Sequence, residues 1–225
     1  MIGIRYRNPM ALRSECILVL LMLACGPTNA DYEPIPLHEL VVGSDLLVRG
    51  TIIEVREKTF EVEVLKVIRG RARPKRIEVQ RFVDWSGNAR WTSYQAGQGV
   101  LLFLVKQEGN GGPSWQVLGA GGEGEMPIEG EFIYCHGTFI QGFKRHQGFA
   151  VQGGTLNGYK FELTTFLSAI AGYHRCFKLK GPLLQRPRIL NRTCTEEAIE
   201  NYRRQSALHR HLIDVSRQQV DPKQK

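Results

Sequence analysis

The chain has 225 residues, of which 42% are hydrophobic and 23% charged, and its formal net charge at pH 7 is +8. This composition is typical of a globular protein and argues against a disordered, collagen-like or disulfide-dense chain. It also argues against a multispanning membrane protein, because the longest apolar run, Cys16 to Cys25, has 10 residues, whereas a transmembrane helix needs about 20.

The first 30 residues have the arrangement of a secretory signal peptide. Three arginines, Arg5, Arg7 and Arg13, precede the apolar run, and the small and polar residues GPTNA follow it. Two processing sites fit: cleavage after Ala30, or lipoprotein cleavage before Cys25, which would then carry a lipid anchor. We therefore expect an exported protein that is periplasmic, secreted or attached to the envelope membrane through Cys25.

The cysteines and basic residues are unevenly distributed after this leader. Residues 172–225 contain 12 Lys and Arg but only 5 Asp and Glu, so the C-terminal part is basic. The three remaining cysteines are Cys135, Cys176 and Cys194. In an oxidising compartment we expect a disulfide between Cys176 and Cys194, which would link two predicted helices and stabilise the fold by about 3 kcal/mol. Three free, buried cysteines are the alternative.

The part of the chain from Leu46 to Gly119 predicts five short β-strands. Their sequences are LLVRGTIIEV, FEVEVLKVI, RIEVQRFV, VLLFLVK and SWQVLG. Gly50 inside the first strand predicts a bulge or tight coil, and the slip of the apolar alternation at Leu65 predicts a second bulge. The continuous apolar run VLLFLVK is typical of a strand buried on both faces. Five strands joined by turns indicate a small antiparallel barrel or sandwich.

The order of these segments resembles a known family. Between Leu40 and Ala120 the chain is similar to exported bacterial domains of the netrin and tissue-inhibitor-of-metalloproteinases type, in the runs SDLLVRGTIIEV, FEVEVLKVIRG, RIEVQRF, YQAGQGVLLFLVK and WQVLG. The resemblance implies a five-stranded OB-fold barrel. The metalloproteinase inhibitors chelate zinc through a free N-terminal cysteine, whereas this chain has no cysteine between Cys25 and Cys135. Inhibitor activity is therefore not carried over.

The second half of the chain mixes strands and helices. The glycine- and acid-rich stretch GAGGEGEMPIEGE is interpreted as a flexible connector, and EFIYCHGTFI with GFAVQGG as a hairpin or two edge strands. The stretch TTFLSAIAGYHRC predicts a helix packed on the sheet, and a capping pattern at residues 193–196 predicts a second helix that ends near Gln218.

Together these patterns predict a mainly β fold that is α+β overall. We expect a five-stranded antiparallel OB-like barrel with an additional hairpin and a C-terminal two-helix extension. The expected division is a signal peptide over residues 1–30, the barrel domain over 31–125, and the hairpin with the helical extension over 126–225, packed on the barrel.

Two groups of side chains are candidates for a binding surface. The first is a basic run that could hold phosphate groups of lipid or nucleic acid, or could be a solvated loop, and consists of Arg69, Arg71, Arg73, Lys75 and Arg76. The second is an aromatic and basic loop, which we expect to face a glycan or a protein, and consists of Trp85, Arg90, Trp91 and Tyr94. An exported protein is not expected to meet nucleic acid. The expected partner is therefore an unknown protein, a glycan or the envelope surface.

The chain carries no sequence motif for catalysis. It has no nucleophile elbow, no phosphate-binding glycine loop, and no CxxC or HExxH motif, so we expect no cofactor and no metal site. The basic C-terminal helix could contact a membrane or form one solvated face. The sequence therefore predicts a non-enzymatic envelope protein that acts by binding. The alternatives are an envelope enzyme that uses Cys135 and His136, and a protein that resembles protease inhibitors.

Overall fold

The described residues of the chain form eleven β-strands and four α-helices. The computed structural model describes residues 34–71, 73–84, 89–107, 115–119, 121–136, 140, 142–181 and 188–220. The strands are β1 (Leu46–Val55), β2 (Thr59–Arg69), β3 (Arg76–Gln80), β4 (Gly99–Lys106), β5 (Trp115–Val117), β6 (Glu125–Glu129), β7 (Phe132–His136), β8 (His146–Val151), β9 (Gly154–Glu162), β10 (Phe177–Lys180) and β11 (Ile189–Arg192). The α-helices are α1 (Leu37–Gly43), α2 (Leu163–Cys176), α3 (Glu196–Arg203) and α4 (Ala207–Ser216). The predicted signal peptide, both of its cleavage sites, the lipidation candidate Cys25 and the binding candidate Trp85 lie outside the described residues.

The first five strands form a closed barrel. Their order is β1-β2-β3-β5-β4, and β4 pairs back with β1. The strands were expected to be antiparallel throughout, but β3 and β5 are parallel, with Val79 opposite Trp115. A closed ring of five strands cannot alternate in direction at every step, because five is an odd number. One neighbouring pair must therefore be parallel.

The pairing of β1 with β2 has three register shifts, of which one lies at Gly50. Arg49 pairs with Lys66 and Gly50 with Val64, so Leu65 has no partner in this register and its side chain is 58% exposed. This bulge confirms the slip that the sequence predicts. At Gly50 a Cβ atom would lie 2.5 Å from the carbonyl oxygen of Glu63, so the close approach of the two strands requires glycine.

The sheet continues beyond the barrel through strand β6. The order after β4 is β6-β7-β9-β8, and Leu101 of β4 pairs with Met126 of β6. The interpretation of this segment as a flexible connector was wrong, because it forms a short 3-10 helix (Gly121–Glu123) and then β6. The glycines and Pro127 of this segment are not typical of a strand, but Met126 and Ile128 of β6 are buried. The predicted hairpin segments become β7, in the interior of this sheet, and β8, which pairs with β9.

Two hydrophobic cores share strands β1 and β4. Alternate residues of β4, such as Leu102 and Leu104, lie in the core of the barrel, whereas Leu101 and Phe103 lie in the outer core, to which the helices contribute. Strand β4 is therefore buried on both faces, as its unbroken apolar sequence predicts. The described residues, which begin at Pro34, belong to one compact unit.

The helices lie in the outer core and are linked by a disulfide. Helix α2 corresponds to the first predicted helix, whereas the second predicted helix is divided into α3 and α4, because Ser206 caps a new helix with a bond from the His209 N–H to its hydroxyl. Cys176 and Cys194 form the favoured disulfide, and Cys135 is free and buried. Among the described residues, no helix is both long enough and apolar enough to cross a membrane.

Candidate binding site

A cleft of about 580 Å³ opens at one end of the barrel. Its walls come from the turn between β1 and β2, from the end of β3, and from the residues that follow β3, and it is lined by Glu57, Lys58, Gln80, Arg81, Phe82, Val83, Asp84, Arg90, Thr92, Ser93 and Tyr94. A cavity of this size is within the range of small-ligand sites, which is about 300 to 1,000 Å³.

The floor of the cleft is formed around the guanidinium group of Arg90. This group lies between two rings, 3.9 Å from the centroid of Trp91 and 4.0 Å from that of Tyr94. Its Nε and Nη2 atoms donate to Glu125 Oε1 at 3.1 and 2.8 Å, and Nη2 also donates to Gln98 Oε1 at 2.9 Å. The Nη1 atom donates to two main-chain carbonyls, those of Thr92 and Ser93. All five N–H groups of the guanidinium are therefore used inside the protein.

Tyr94 completes this buried arrangement. Its hydroxyl donates to Glu125 Oε2 at 3.0 Å and accepts from the Phe82 N–H at 3.1 Å. Burial, followed by the nearby charge of Glu125, raises the pKa of Tyr94, so the hydroxyl keeps its proton. Tyr94 thus links the main chain that follows β3 to Glu125 on β6.

The prediction of an exposed aromatic loop was wrong for Arg90, Trp91 and Tyr94, which are buried. The reason is Glu125, a buried carboxylate on β6 that draws the guanidinium inward and pairs with it. Glu125 was not predicted as a site residue, because it lies in the segment interpreted as a connector. One signal in the sequence could have identified this strand. Met126 and Ile128 are two residues apart, as apolar residues on one face of a strand are, and Glu125 would then lie on the opposite face, toward the barrel.

The rim of the cleft is polar and carries both signs of charge. Arg81 donates to the main-chain carbonyls of Arg56 at 2.9 Å and Glu57 at 3.1 Å. Asp84 accepts a bond from the main-chain N–H of Arg90 at 3.0 Å. The side chain of Val83 is 81% exposed, so an apolar group is available at the mouth of the cleft.

The basic run lies away from this cleft. Arg69 ends β2, which has 11 residues and begins beside the cleft. At the other end of the basic run, Arg76 pairs with Glu63 and lies four residues, or about 13 Å, along β3 from Gln80 at the cleft. Arg71, Arg73, Lys75 and Arg76 are exposed. Arg69 is half-buried, it donates to the carbonyl of Val41, and desolvation lowers its pKa. The structure therefore divides the predicted binding surface into two separate regions.

Cys135 and His136 do not form a nucleophile and base pair. Adjacent residues of β7 point to opposite faces of the sheet, and the buried Cys135 thiol contacts Met126 Sδ at 3.5 Å. Burial raises the pKa of the Cys135 thiol, which keeps it protonated and unreactive. His136 Nδ1 instead bonds to the main-chain oxygen of Asn157 at 2.9 Å. Within the described ranges, no group of three or more His, Cys, Asp or Glu side chains is arranged to hold a metal ion.

A second, aromatic groove of about 480 Å³ lies on the outer sheet. It is lined by Phe132, Phe143, Lys144, His146, Phe149, Tyr159, Lys160, Phe161 and Glu162. The ammonium group of Lys160 lies 3.7 Å from the ring centroid of Phe132. This groove was not predicted from the sequence, because its residues come from β7, β8, β9 and the loop before β8, which are brought together only by the pairing of these strands.

Comparison with known proteins finds no matching protein family, no similar curated protein and no similar solved structure.

Proposed function

We propose that this protein is exported and acts in the cell envelope as a non-enzymatic binding protein whose binding site is the cleft at the end of the barrel. The proposal rests on one observation, namely that the ionisable groups of the cleft floor are already paired with one another. Arg90 uses its donors on Glu125, Gln98 and main-chain oxygens, and Tyr94 remains protonated. These groups make the cleft rigid and leave recognition to its rim.

The strand order supports an assignment of the barrel to the OB type. In that fold, a five-stranded barrel binds its ligands on the face of strands 2 and 3 and on the adjoining loops. The cleft adjoins the turn between β1 and β2 and the end of β3, which is the corresponding place. The same assignment agrees with the resemblance to exported netrin-like domains. The mixed charge and the exposed Val83 of the rim suit a protein loop or a glycan as the ligand.

Export is tested on the protein isolated from its native host. We expect the intact mass to correspond to a chain that starts at Asp31, or to a diacylated chain that starts at Cys25. A cytoplasmic protein with its first 30 residues intact would contradict export.

Binding at the cleft is tested with a photo-crosslinking amino acid in place of Val83, and with the same group in place of Phe132 as a control outside the cleft. We expect a crosslinked adduct from position 83 only. Mass spectrometry identifies the captured partner, and its complex with this protein is then reconstituted from purified components. Lys58→Glu should weaken that reconstituted binding at least about tenfold, because it reverses a rim charge. Lys144→Glu, the same change on the other groove, should leave binding unchanged.

Two results would overturn the proposal. The first is a reconstituted complex that Lys58→Glu and Lys144→Glu weaken equally. The second is a catalytic turnover that Cys135→Ala abolishes while the variant keeps its fold.

A further inference from the structure

Two basic segments that are distant in the sequence lie together in the fold. One follows the end of β2, and the other runs from the end of α2 into β10. Desolvation lowers the pKa of the half-buried His174, and the nearby positive charges of Arg69, Arg175 and Lys178 lower it further. Arg69 therefore lies within electrostatic range of the second segment, and α2 packs against β2.

We group the exposed cations of these segments under the name basic face, which consists of Lys66, Arg71, Lys75, Arg175 and Lys178. Lys66 belongs to it because Ile68, two residues further along β2, packs against the outer core that includes α2. In the part of the chain that the structure describes, no carboxylate forms an ion pair with any of these five residues.

Two arginines of the C-terminal helices differ in this respect. Arg203 Nε lies 2.8 Å from Asp214 Oδ1, and Arg217 Nη2 lies 3.0 Å from Glu196 Oε1. Their positive charge is therefore balanced locally, whereas the charge of the basic face is available to a partner.

An exposed apolar residue accompanies the basic face. Leu65 occupies the bulge of β2 beside Lys66, and its side chain is 58% exposed. The main-chain N–H of Val64 donates to the carbonyl of Lys75 at 2.8 Å, so the basic loop runs directly beside this bulge. Cations around one exposed apolar side chain match a surface that carries anionic groups over an apolar layer.

We propose that the basic face docks on an anionic phospholipid bilayer, with its cations on the lipid phosphates and Leu65 at the boundary of the acyl chains. Juxtamembrane cations gain about fivefold in membrane partitioning per residue, and the gain falls with added salt. Docking through this face does not depend on which ligand the cleft binds.

The test uses residues 31–225, with no lipid anchor, and measures co-sedimentation with vesicles. We expect binding to mixed phosphatidylglycerol and phosphatidylcholine vesicles but not to phosphatidylcholine alone. Arg71→Glu combined with Lys178→Glu should lower the partition coefficient at least about 25-fold, because two contacts of about fivefold each are lost. The matched control, Arg204→Glu combined with Arg210→Glu, makes the same change in net charge on the C-terminal helices and should alter the partition coefficient by less than about twofold.

Leu65→Ser tests the apolar contact separately. We expect it to weaken vesicle binding most at high salt, where the contribution of the cations is screened but that of the leucine is not. All the substituted residues are exposed, and an unchanged free energy of unfolding verifies that each variant is folded.

Three outcomes would overturn the proposal. They are an absence of binding to anionic vesicles, an equal loss in the basic-face and control variants, and tighter binding to a single-stranded oligonucleotide than to vesicles, which would assign the face to nucleic acid.

Discussion

At the scale of single residues, the feature that determines the cleft is the buried ion pair of Arg90 and Glu125. Arg90 Nη2 lies 2.8 Å from Glu125 Oε1, and both side chains are almost fully inaccessible to water. A buried pair stabilises little compared with an apolar pair of similar volume, but the loss of one partner is costly. The pair therefore fixes the geometry of the cleft floor more than it adds to stability.

Arg90→Ala should lower the free energy of unfolding by about 3 to 5 kcal/mol, because it leaves the Glu125 carboxylate buried without a counter-charge. Urea titration measures this change. Arg56→Ala is the control, since the ion pairs of Arg56 with Glu54 and Glu78 lie on the exposed surface of the barrel. Water and salt weaken such pairs, so this change should destabilise the protein much less.

The double variant Arg90→Met and Glu125→Leu should recover part of the stability that Arg90→Ala loses, because no charge remains buried. The recovery is incomplete, because the Tyr94 hydroxyl and the Thr92 and Ser93 carbonyls lose these partners. Equal destabilisation by Arg90→Ala and Arg56→Ala would contradict this account of the cleft floor.

At the scale of elements, the disulfide joins α2 to the segment before α3 across the β10 and β11 hairpin. Phe177 pairs with Arg192, and Cys176 and Cys194 lie just outside that pair, 18 residues apart in the sequence. The hairpin is short, with four residues in each strand. Such a hairpin is at best marginally stable by itself, so the disulfide and the packing of α2 hold it.

Removal of the disulfide by Cys176→Ser with Cys194→Ser should lower the free energy of unfolding by about 3 kcal/mol, because the unfolded chain regains the freedom of the open loop. The measurement is urea unfolding with and without a reductant. The wild-type protein should lose stability in the reductant, whereas the double variant should not respond to it. A response of the double variant would contradict the assignment of the reductant effect to this disulfide.

The sequence predicts elements well where one local pattern dominates. The first half of β2 alternates between apolar and charged residues from Phe60 to Val64, and even the bulge at Leu65 follows from the slip in that alternation. Strand β6 was missed, because Pro127 and the surrounding glycines resemble a connector and its pairing with β4 is a long-range contact. The cleft floor was missed for the same reason, since Arg90 and Glu125 are 35 residues apart. Local patterns carry no information about such contacts.

At the scale of the whole molecule, the two ends of the described chain meet in a buried polar cluster. Gln219 Nε2 donates to Glu39 Oε1 at 2.9 Å, and Gln219 Oε1 lies 3.2 Å from His38 Nε2. Arg188, which precedes β11, forms an ion pair with Glu39. Helix α1 and the segment after α4 are thereby held together through side chains that are separated by 180 residues.

Stability should fall as the pH is lowered through the titration of His38. Burial lowers the pKa of His38 from 6.5 to about 4, and the positive charges of His211 and Arg188 add to this effect, while the bond to Gln219 opposes it. In the unfolded chain the imidazole of His38 becomes protonated below pH 6.5, whereas in the folded chain it becomes protonated only near pH 4. The free energy of unfolding should therefore decrease by about 3 kcal/mol between these two pH values and not decrease further below pH 4 through this group.

His38→Gln isolates this contribution, because glutamine keeps an amide near Gln219 but does not titrate. The difference between the wild-type and variant unfolding free energies, measured in urea at a series of pH values, should change over this window. Parallel curves would exclude His38 as the source of the pH dependence.

Strand β4 has consequences for how such a protein can evolve. Leu101 pairs with Arg49 of the barrel on one edge and with Met126 of the outer sheet on the other. A recombination event that transferred the barrel alone would leave the main chain of Gly99–Leu102 open along that edge, as a template for intermolecular aggregation. We therefore expect the barrel and strand β6 to be inherited together.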